Sequence, residues 1–315
     1  MQKVLITGGT GFLGSHLTKR IIDEVESVTI VTTDIRQQTT LKTLGVDIDK
    51  INLVGGDVRD FDFLRLLFNE YEFDTVFHLG AISEVIKSQN DPKLTFDVNI
   101  GGTVNVLEVA RTYGNVEAIV VSSSDKAYGT GDRLPYLEHD KLNGKGIYEA
   151  SKSCTDLVAR AYATNYDLPV VVTRCSNLYG VGDMNFTRVI PNNIRKILNG
   201  ERPVIWKGSE KSTREFLYVE DAVDAYISLV KNIDKTKGEA YNIGSGEKVT
   251  IGELVEQILN EIESYLTIDY VEKDMPEITH QYLDSTKIQE DTEWKPTTNM
   301  CDGLLTTTKG YEELL

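Results

Sequence analysis

Lys3-Val4-Leu5-Ile6-Thr7-Gly8-Gly9-Thr10-Gly11-Phe12-Leu13-Gly14 is a short apolar run that feeds directly into a glycine-rich turn. The run is rich in aliphatic residues without polar alternation, the pattern of a strand covered on both faces. Gly8, Gly11 and Gly14 are spaced GxxGxxG, and Phe12-Leu13 begins a helix. Missing side chains let backbone N–H groups and the helix N-terminus approach a pyrophosphate. This turn joins the first strand to the first helix, where a dinucleotide site requires it. Gly8, Gly11, Phe12, Leu13 and Gly14 are therefore read as cofactor-binding.

Working outward, Ser27 to Thr32 is a second strand, ending in Thr32-Thr33-Asp34-Ile35-Arg36. An acidic residue near this tip grips the adenosine ribose in such sites. Asp34 can fill that role, or Thr32, Thr33 and Arg36 can receive a 2′-phosphate. The cofactor is thus NAD or NADP, and the reading leans to NADP. Ile51 to Val58 is a third strand with Asp57 and Val58 near the adenine. Thr75 to Ala81 is a fourth, with Leu79, Gly80 and Ala81 letting the backbone pass close to the cofactor. His78 reads as a packed residue and not as a catalyst. Asn99, also assigned to the cofactor, falls in a helix over about 92–113.

Ile119-Val120-Val121 is another buried strand, followed by Ser122-Ser123-Ser124-Asp125-Lys126 at the sheet edge where ligands bind in open α/β folds. Tyr148 and Lys152 are four apart at the start of a helix and share one face. An ammonium beside a phenol is expected to favour the phenolate and lower its pKa from about 10. Ser124 holds the same substrate hydroxyl from the strand side, and Ser122 faces the cofactor. The unit suits proton abstraction during hydride transfer from an alcohol.

Pro169 to Arg174 supplies a sixth parallel strand, and Ala240 to Ile243 a later one. Alternating strands and helices give an α/β fold, a Rossmann-type doubly wound parallel sheet with a smaller mixed C-terminal substrate lobe. Residues 1–176 plus about 212–245 are assigned to the sheet domain, and 177–211 plus about 246–315 to the lobe. Val189 to Leu198 and Ala222 to Val230 read as helices. Ile251 to Ile262 carries apolar residues at helical spacing, a packing face.

The 315 residues are 40% hydrophobic and 26% charged, as in ordinary soluble proteins. A net charge of −16 argues against nucleic acid or an anionic membrane as partner. No apolar run approaches the roughly 18 residues of a membrane span. A strand begins almost at Met1, so no leader is expected and a cytoplasmic location follows. Cys154, Cys175 and Cys301 are widely spaced and read as reduced thiols, with no metal site.

The chain resembles the extended short-chain dehydrogenase/reductases. The carriers are Thr7 to Gly14, His78-Leu79-Gly80-Ala81, Asn99 to Thr103, Tyr148 with Lys152, Arg174-Cys175-Ser176-Asn177, and Arg214 to Asp221. The resemblance implies a nucleotide-diphosphate sugar as substrate and a tightly bound, recycled NAD or NADP. It places Ser83, Glu84, Ser124, Asn177, Arg188, Val189, Arg214 and His280 around the substrate, the pyrophosphate falling to Arg214, Arg188 and His280. It also implies a homodimer through the helices near 92–113 and 148–166.

Within that family, Ser124-Asp125-Lys126 resembles the 4,6-dehydratases, in particular those of CDP-glucose and the inverting ones of UDP-N-acetylglucosamine. Tyr148 would take the 4-hydroxyl proton as hydride leaves C4. Lys126 would remove the C5 proton, and Asp125 would protonate the departing 6-hydroxyl. Hydride returned to C6 then gives a 4-keto-6-deoxy sugar. Lys126 needs its amine form for this, towards which burial and the Lys152 charge push. A nucleotide-sugar 4-epimerase or reductase, and an NAD(P)-sensing regulator without activity, are the other readings.

Overall fold

The computed structural model describes residues 1–131, 133–272 and 278–315. Its strands, in chain order, are β1 (Lys3–Thr7), β2 (Ser27–Thr32), β3 (Ile51–Gly55), β4 (Thr75–His78), β5 (Ala118–Ser122) and β6 (Val170–Cys175). Then come β7 (Asn177–Tyr179), β8 (Val204–Trp206), β9 (Thr213–Tyr218), β10 (Ala240–Ile243), β11 (Lys248–Thr250), β12 (Asp269–Val271) and β13 (His280–Gln281). Seven of them form one sheet in the order β10-β6-β5-β4-β1-β2-β3, and every pairing in it is parallel. The chain runs outward from β1 to β3, then returns to lay β4 on the other side of β1. That reversal opens a crevice at the carboxyl ends of β1 and β4.

Side chains on a strand alternate between faces. On β1, Val4 and Ile6 join Leu17 and Ile21 of the first helix, while Leu5 joins Leu64, Phe68 and Val106 on the opposite side. Helices therefore bury both faces, which is why β1 reads as an unbroken apolar run.

Helix Ile147–Tyr166 carries two of the catalytic candidates, Tyr148 and Lys152. Its start is fixed by Glu149, which reaches back to accept from the backbone N–H groups of Lys145 and Gly146, each at 3.0 Å. Tyr148, Ser151, Lys152, Thr155 and Asp156 are all buried, so this face lies against the sheet.

The helix expected over about 92–113 is instead three segments, Pro92–Phe96, a π-helical turn Asp97–Gly101, and Gly102–Tyr113. The wide turn leaves the Asn99 carbonyl to accept from Thr103 Oγ1 at 2.6 Å and Thr155 Oγ1 at 2.8 Å.

The chain between β6 and β10, and after β10, builds the smaller sheets. β9 lies between β11 and β13 and also pairs with β7, while β8 pairs with β12. Strand β9, grouped by sequence with the main-sheet segment, thus belongs to a smaller sheet, whereas β10 returns to the large one. Helices Val189–Leu198 and Ile251–Glu261 cover this part with Ile190, Ile194, Leu254, Val255 and Ile258. Helix Met300–Leu314 was not foreseen, and its Leu304 and Tyr311 close the same core. Among the described residues no helix is long and apolar enough to cross a membrane.

Candidate active site

At the crevice, Gly8 adopts φ +70°, and a Cβ there would lie 2.9 Å from the Gly80 Cα. A Cβ on Gly14 would come within 2.5 Å of the Gly8 carbonyl oxygen and 2.6 Å of the Gly9 Cα. The turn is held by Gly8 N–H on Val31 O and Gly11 N–H on Gly8 O, each at 3.0 Å. Gly11 precedes the helix without a side-chain cap, so the N–H groups of the first turn, around Phe12 and Leu13, remain open to an anion. Across the crevice, Thr7 Oγ1 accepts from Gly80 N–H at 3.0 Å and sets the Leu79-Gly80-Ala81 backbone beside the turn. This cradle fits a dinucleotide pyrophosphate.

Further along, Thr10 and Thr32 hydroxyls meet at 3.1 Å. Asp34 accepts a fork from Arg36, Nε to Oδ1 at 2.9 Å and Nη2 to Oδ2 at 3.1 Å. Those bonds hold the Asp34 carboxyl below its usual range. Asp57 makes the same local fork with Arg59, and the Val58 carbonyl accepts from Asn105 Nδ2 at 3.0 Å.

His78 is packed, as expected. It bonds Thr7 Oγ1 at 2.8 Å and Thr103 Oγ1 at 3.1 Å, and burial pushes it down to about 3. Asn99, assigned to the cofactor, spends its amide on protein. It bonds Ile82 N at 2.8 Å, Ile82 O at 3.1 Å and Ser151 Oγ at 2.9 Å, which ties the loop after β4 to the helix of Tyr148. Ser83 and Glu84 follow in that loop, Glu84 preceding helix Val85–Asn90 without capping it.

The chemical candidates gather at the end of β5. Ser124 begins a 3-10 turn, Asp125–Tyr128. Its hydroxyl accepts from Lys126 N–H at 3.2 Å and donates to Asp125 Oδ1 at 3.1 Å, and its proximity works to hold the Tyr148 phenol down. Asp125 is only 2% exposed, and its Oδ2 is buried with no hydrogen-bond partner. Burial pushes its carboxyl up, against the opposing charges of Lys126 and Arg214. Lys152 Nζ donates to the Ser122 carbonyl at 2.7 Å, and Ser122 Oγ accepts from Tyr226 at 3.0 Å.

Burial lowers Lys152 to about 8 and raises Tyr148 to about 12. This corrects the expectation that Tyr148 lies below its ordinary value. Desolvation of the phenol outweighs its stabilising neighbours, Ser124 and Arg188, and Lys152 is anchored to the Ser122 backbone. The ring is an acid at neutral pH until positive charge is added beside it.

The substrate candidates divide. Arg214 is 6% exposed, and its guanidinium donates to the carbonyls of Thr213 (3.0 Å), Thr279 (3.1 Å) and Ile278. In the parallel pairing of β13 with β9, Gln281 lies beside Arg214 and His280 beside Thr213. His280 therefore faces away from Arg214. It lines a separate open cavity of about 440 Å³ with Thr213, Lys248 and Tyr282. The joint grip on a pyrophosphate expected of Arg214 and His280 is not formed, because strand alternation separates them. Arg188 pairs with Asp183 at 2.9 Å just before Val189 starts its helix, and Asn177 Nδ2 donates to Glu215 O at 3.1 Å.

Two residues that sequence reading passed over belong here. Gln281 is fully buried, and its Oε1 accepts from Lys126 Nζ at 3.2 Å. Glu215 is 1% exposed and accepts from Gly246 N–H at 2.7 Å and Leu283 N–H at 2.8 Å, while burial and the nearby Asp125 raise it to about 7. A two-residue strand carries no periodic signal, but Glu215 beside Arg214 in an otherwise apolar strand was a visible one.

Comparison with known proteins adds an independent line. Residues 5–307 match the family described as GDP-mannose 4,6 dehydratase. The dTDP-glucose 4,6-dehydratase of Salmonella typhimurium is 32% identical over 98% of this chain and 92% of its own. The CDP-paratose 2-epimerase of Salmonella typhi is 30% identical over 96% of this chain and 97% of its own. Among solved structures, a dTDP-glucose 4,6-dehydratase from Streptomyces venezuelae with NAD bound superposes with a TM-score of 0.89 at 28% identity, covering 99% of this chain and 97% of that one.

Proposed function

The chain belongs to this family of nucleotide-sugar dehydratases and epimerases, and from that premise we propose that it is a nucleotide-sugar 4,6-dehydratase. The observation that carries the reading is Asp125. A 4-epimerase needs only a hydroxyl-activating unit such as Ser124, Tyr148 and Lys152. Here the same cluster holds a buried carboxyl, biased towards its acid form and bonded to Ser124, with one oxygen unpartnered. That is the group required to protonate a leaving hydroxyl.

The glycine cradle and the Leu79-Gly80-Ala81 backbone would hold the dinucleotide. Bound there, it would supply a hydride acceptor for the sugar C4 and a hydride donor for C6. With the positive charge of the oxidised cofactor beside it, Tyr148 would stand as phenolate and remove the proton of the 4-hydroxyl, with Ser124 holding that oxygen in place. The resulting 4-ketone acidifies C5–H, and Lys126 takes that proton and gives it back to C5 when C6 receives hydride. Asp125 protonates the 6-hydroxyl, so water leaves across C5–C6. Lys152 keeps Ser122 and the helix face in register.

NAD fits the ribose end better than the NADP favoured by sequence. Arg36 is committed to Asp34 through two side-chain bonds, so a 2′-phosphate would meet a carboxylate. The substrate is a nucleotide-diphosphate hexose, with the relatives spanning several nucleobases. Exposed Leu157 and Tyr166 on helix Ile147–Tyr166 support a homodimer through that helix. The reading is tested by incubation with NAD and, in turn, dTDP-glucose, CDP-glucose, GDP-mannose and UDP-N-acetylglucosamine. A product lighter by one water, with a C4 ketone and a C6 methyl, is expected with one of them. An epimer of unchanged mass would assign the epimerase reaction that the 2-epimerase relative represents.

A further inference from the structure

If Lys126 removes the C5 proton, it must pass between ammonium and amine in every turnover, so its hydrogen-bond partner has to tolerate both forms. Among the described residues no carboxylate lies within ion-pairing distance of Lys126, and its side-chain bond goes to the amide oxygen of Gln281 at 3.2 Å. Gln281 is fully buried, and its Nε2 has no hydrogen-bond partner. A buried donor left unsatisfied is costly, so its presence at this point needs a reason.

The amide supplies one. Its oxygen accepts from an ammonium without adding the negative charge that would lock the proton in place. Turned over, its N–H₂ donates to the lone pair of an amine. Strand β13 delivers this side chain to the site by setting Gln281 beside Arg214 and turning His280 the other way. We propose that Gln281 is the positioning residue of Lys126, an amide that serves both protonation states and lets this lysine exchange a proton during turnover. The inference rests on the dehydratase reading above.

The charged and titratable groups around this pair come from several elements. Asp125 is on the same turn, and Arg214 and Glu215 are on β9. Tyr148 is on the long helix, Tyr136 on the loop before it, and Cys175 at the end of β6 beside Lys152. A carboxylate at 281 also acts on Asp125, Glu215 and Arg214, whereas Gln281→Met adds no charge, so the direction of the Met shift separates the amide from its charged neighbours.

The experiment compares wild type, Gln281→Glu, Gln281→Met and Lys126→Ala, each saturated with NAD and the turned-over nucleotide sugar. Two quantities are read across pH: formation of the 4-keto hexose, trapped by borohydride, and formation of the 4-keto-6-deoxy product. With Gln281→Glu, the acid limb of dehydration moves up by about one pH unit and the rate at pH 7 falls about tenfold. With Gln281→Met, an ammonium without an acceptor is disfavoured, and the limb moves down. C4 oxidation stays near wild type in both, which also shows that the proteins are folded. Opposite shifts are not produced by a general loss of packing.

If Lys126→Ala stalls dehydration while the Gln281 variants keep the wild-type limb, the inference is wrong and the dehydratase reading stands. If Lys126→Ala dehydrates at the normal rate, the base assignment itself fails and Gln281 has nothing to position.

Discussion

Arg174 and Asp156 form a doubly bonded ion pair, Nε to Oδ2 at 2.7 Å and Nη2 to Oδ1 at 3.0 Å, with both side chains shut off from solvent. The remaining arginine nitrogen, Nη1, donates to Tyr128 OH at 2.7 Å and to the Glu138 carbonyl at 2.9 Å. Asp156 lies on the helix of Tyr148 and Lys152, and Tyr128 closes the turn of Asp125 and Lys126. The pair therefore locks the two halves of the candidate site together. Removing one partner strands a buried charge, at a cost of about 3–5 kcal/mol. Asp156→Ala should lose that much in urea unfolding, and a loss below about 1 kcal/mol, the value of an exposed pair, would show that the lock is not formed.

The turn of Asp125 and Lys126 offers a second test. Lys126→Ala should still form the 4-keto hexose while yielding little 4-keto-6-deoxy sugar, and Asp125→Asn should stall at the same point. A fall of about 10²–10⁴-fold in dehydration matches the loss of one acid–base group. Equal loss of both steps would instead give these residues a purely structural part.

Lys152 offers a pH test of stability. Burial lowers it from 10.5 to about 8 in the folded chain. Between those values the unfolded chain holds the proton that the native chain has released, so this residue makes stability rise with pH from about 8 to 10.5. Below pH 8 the buried charge costs about 3 kcal/mol. Lys152→Met should flatten the rise and unfold at higher urea at pH 7, while oxidation at C4 is lost. A wild-type curve without that rise would place the amine in water.

Gly14→Ala should abolish the cradle. The added methyl comes within 2.5 Å of the Gly8 carbonyl oxygen, so the first turn must move. NAD binding by calorimetry should weaken at least tenfold, roughly 1.4 kcal/mol or more. Unchanged affinity would put the dinucleotide elsewhere.

At the ribose end, wild type should bind NAD more tightly than NADP, and Asp34→Ser should reverse or erase the preference by freeing Arg36. Titration of each cofactor against both proteins decides it. Tighter NADP binding by wild type would restore the choice that the sequence favoured.

The parallel sheet was legible because strands buried on both faces leave unbroken aliphatic runs, as β1 and β5 do. The Tyr148–Lys152 helix was legible because four-residue spacing is local. Helix Met300–Leu314 was not, because Gly303 and Gly310 lower its propensity. In the fold Gly303 lies under Tyr179 and Gly310 under Val181, positions no larger residue fits. The π-turn at Asn99 answers to Thr155 from another helix, and the pairing of Gln281 with Lys126 spans 155 positions. Such relations are set by tertiary contact and leave no trace in periodicity. The level of Tyr148 was misjudged for the same reason: spacing brings a lysine near, but depth decides the proton.

Strand β10 is made late yet lies on β6, which the chain laid down some 65 residues earlier. During synthesis β6 must therefore wait with one edge bare until Ala240–Ile243 has left the ribosome. An unsatisfied aliphatic edge invites pairing with another nascent chain. Chains released before residue 243 should accumulate as insoluble material, whereas the full chain, in which Trp294 also seals helix Val219–Lys231 through its indole bond to Asp221, should stay dispersed.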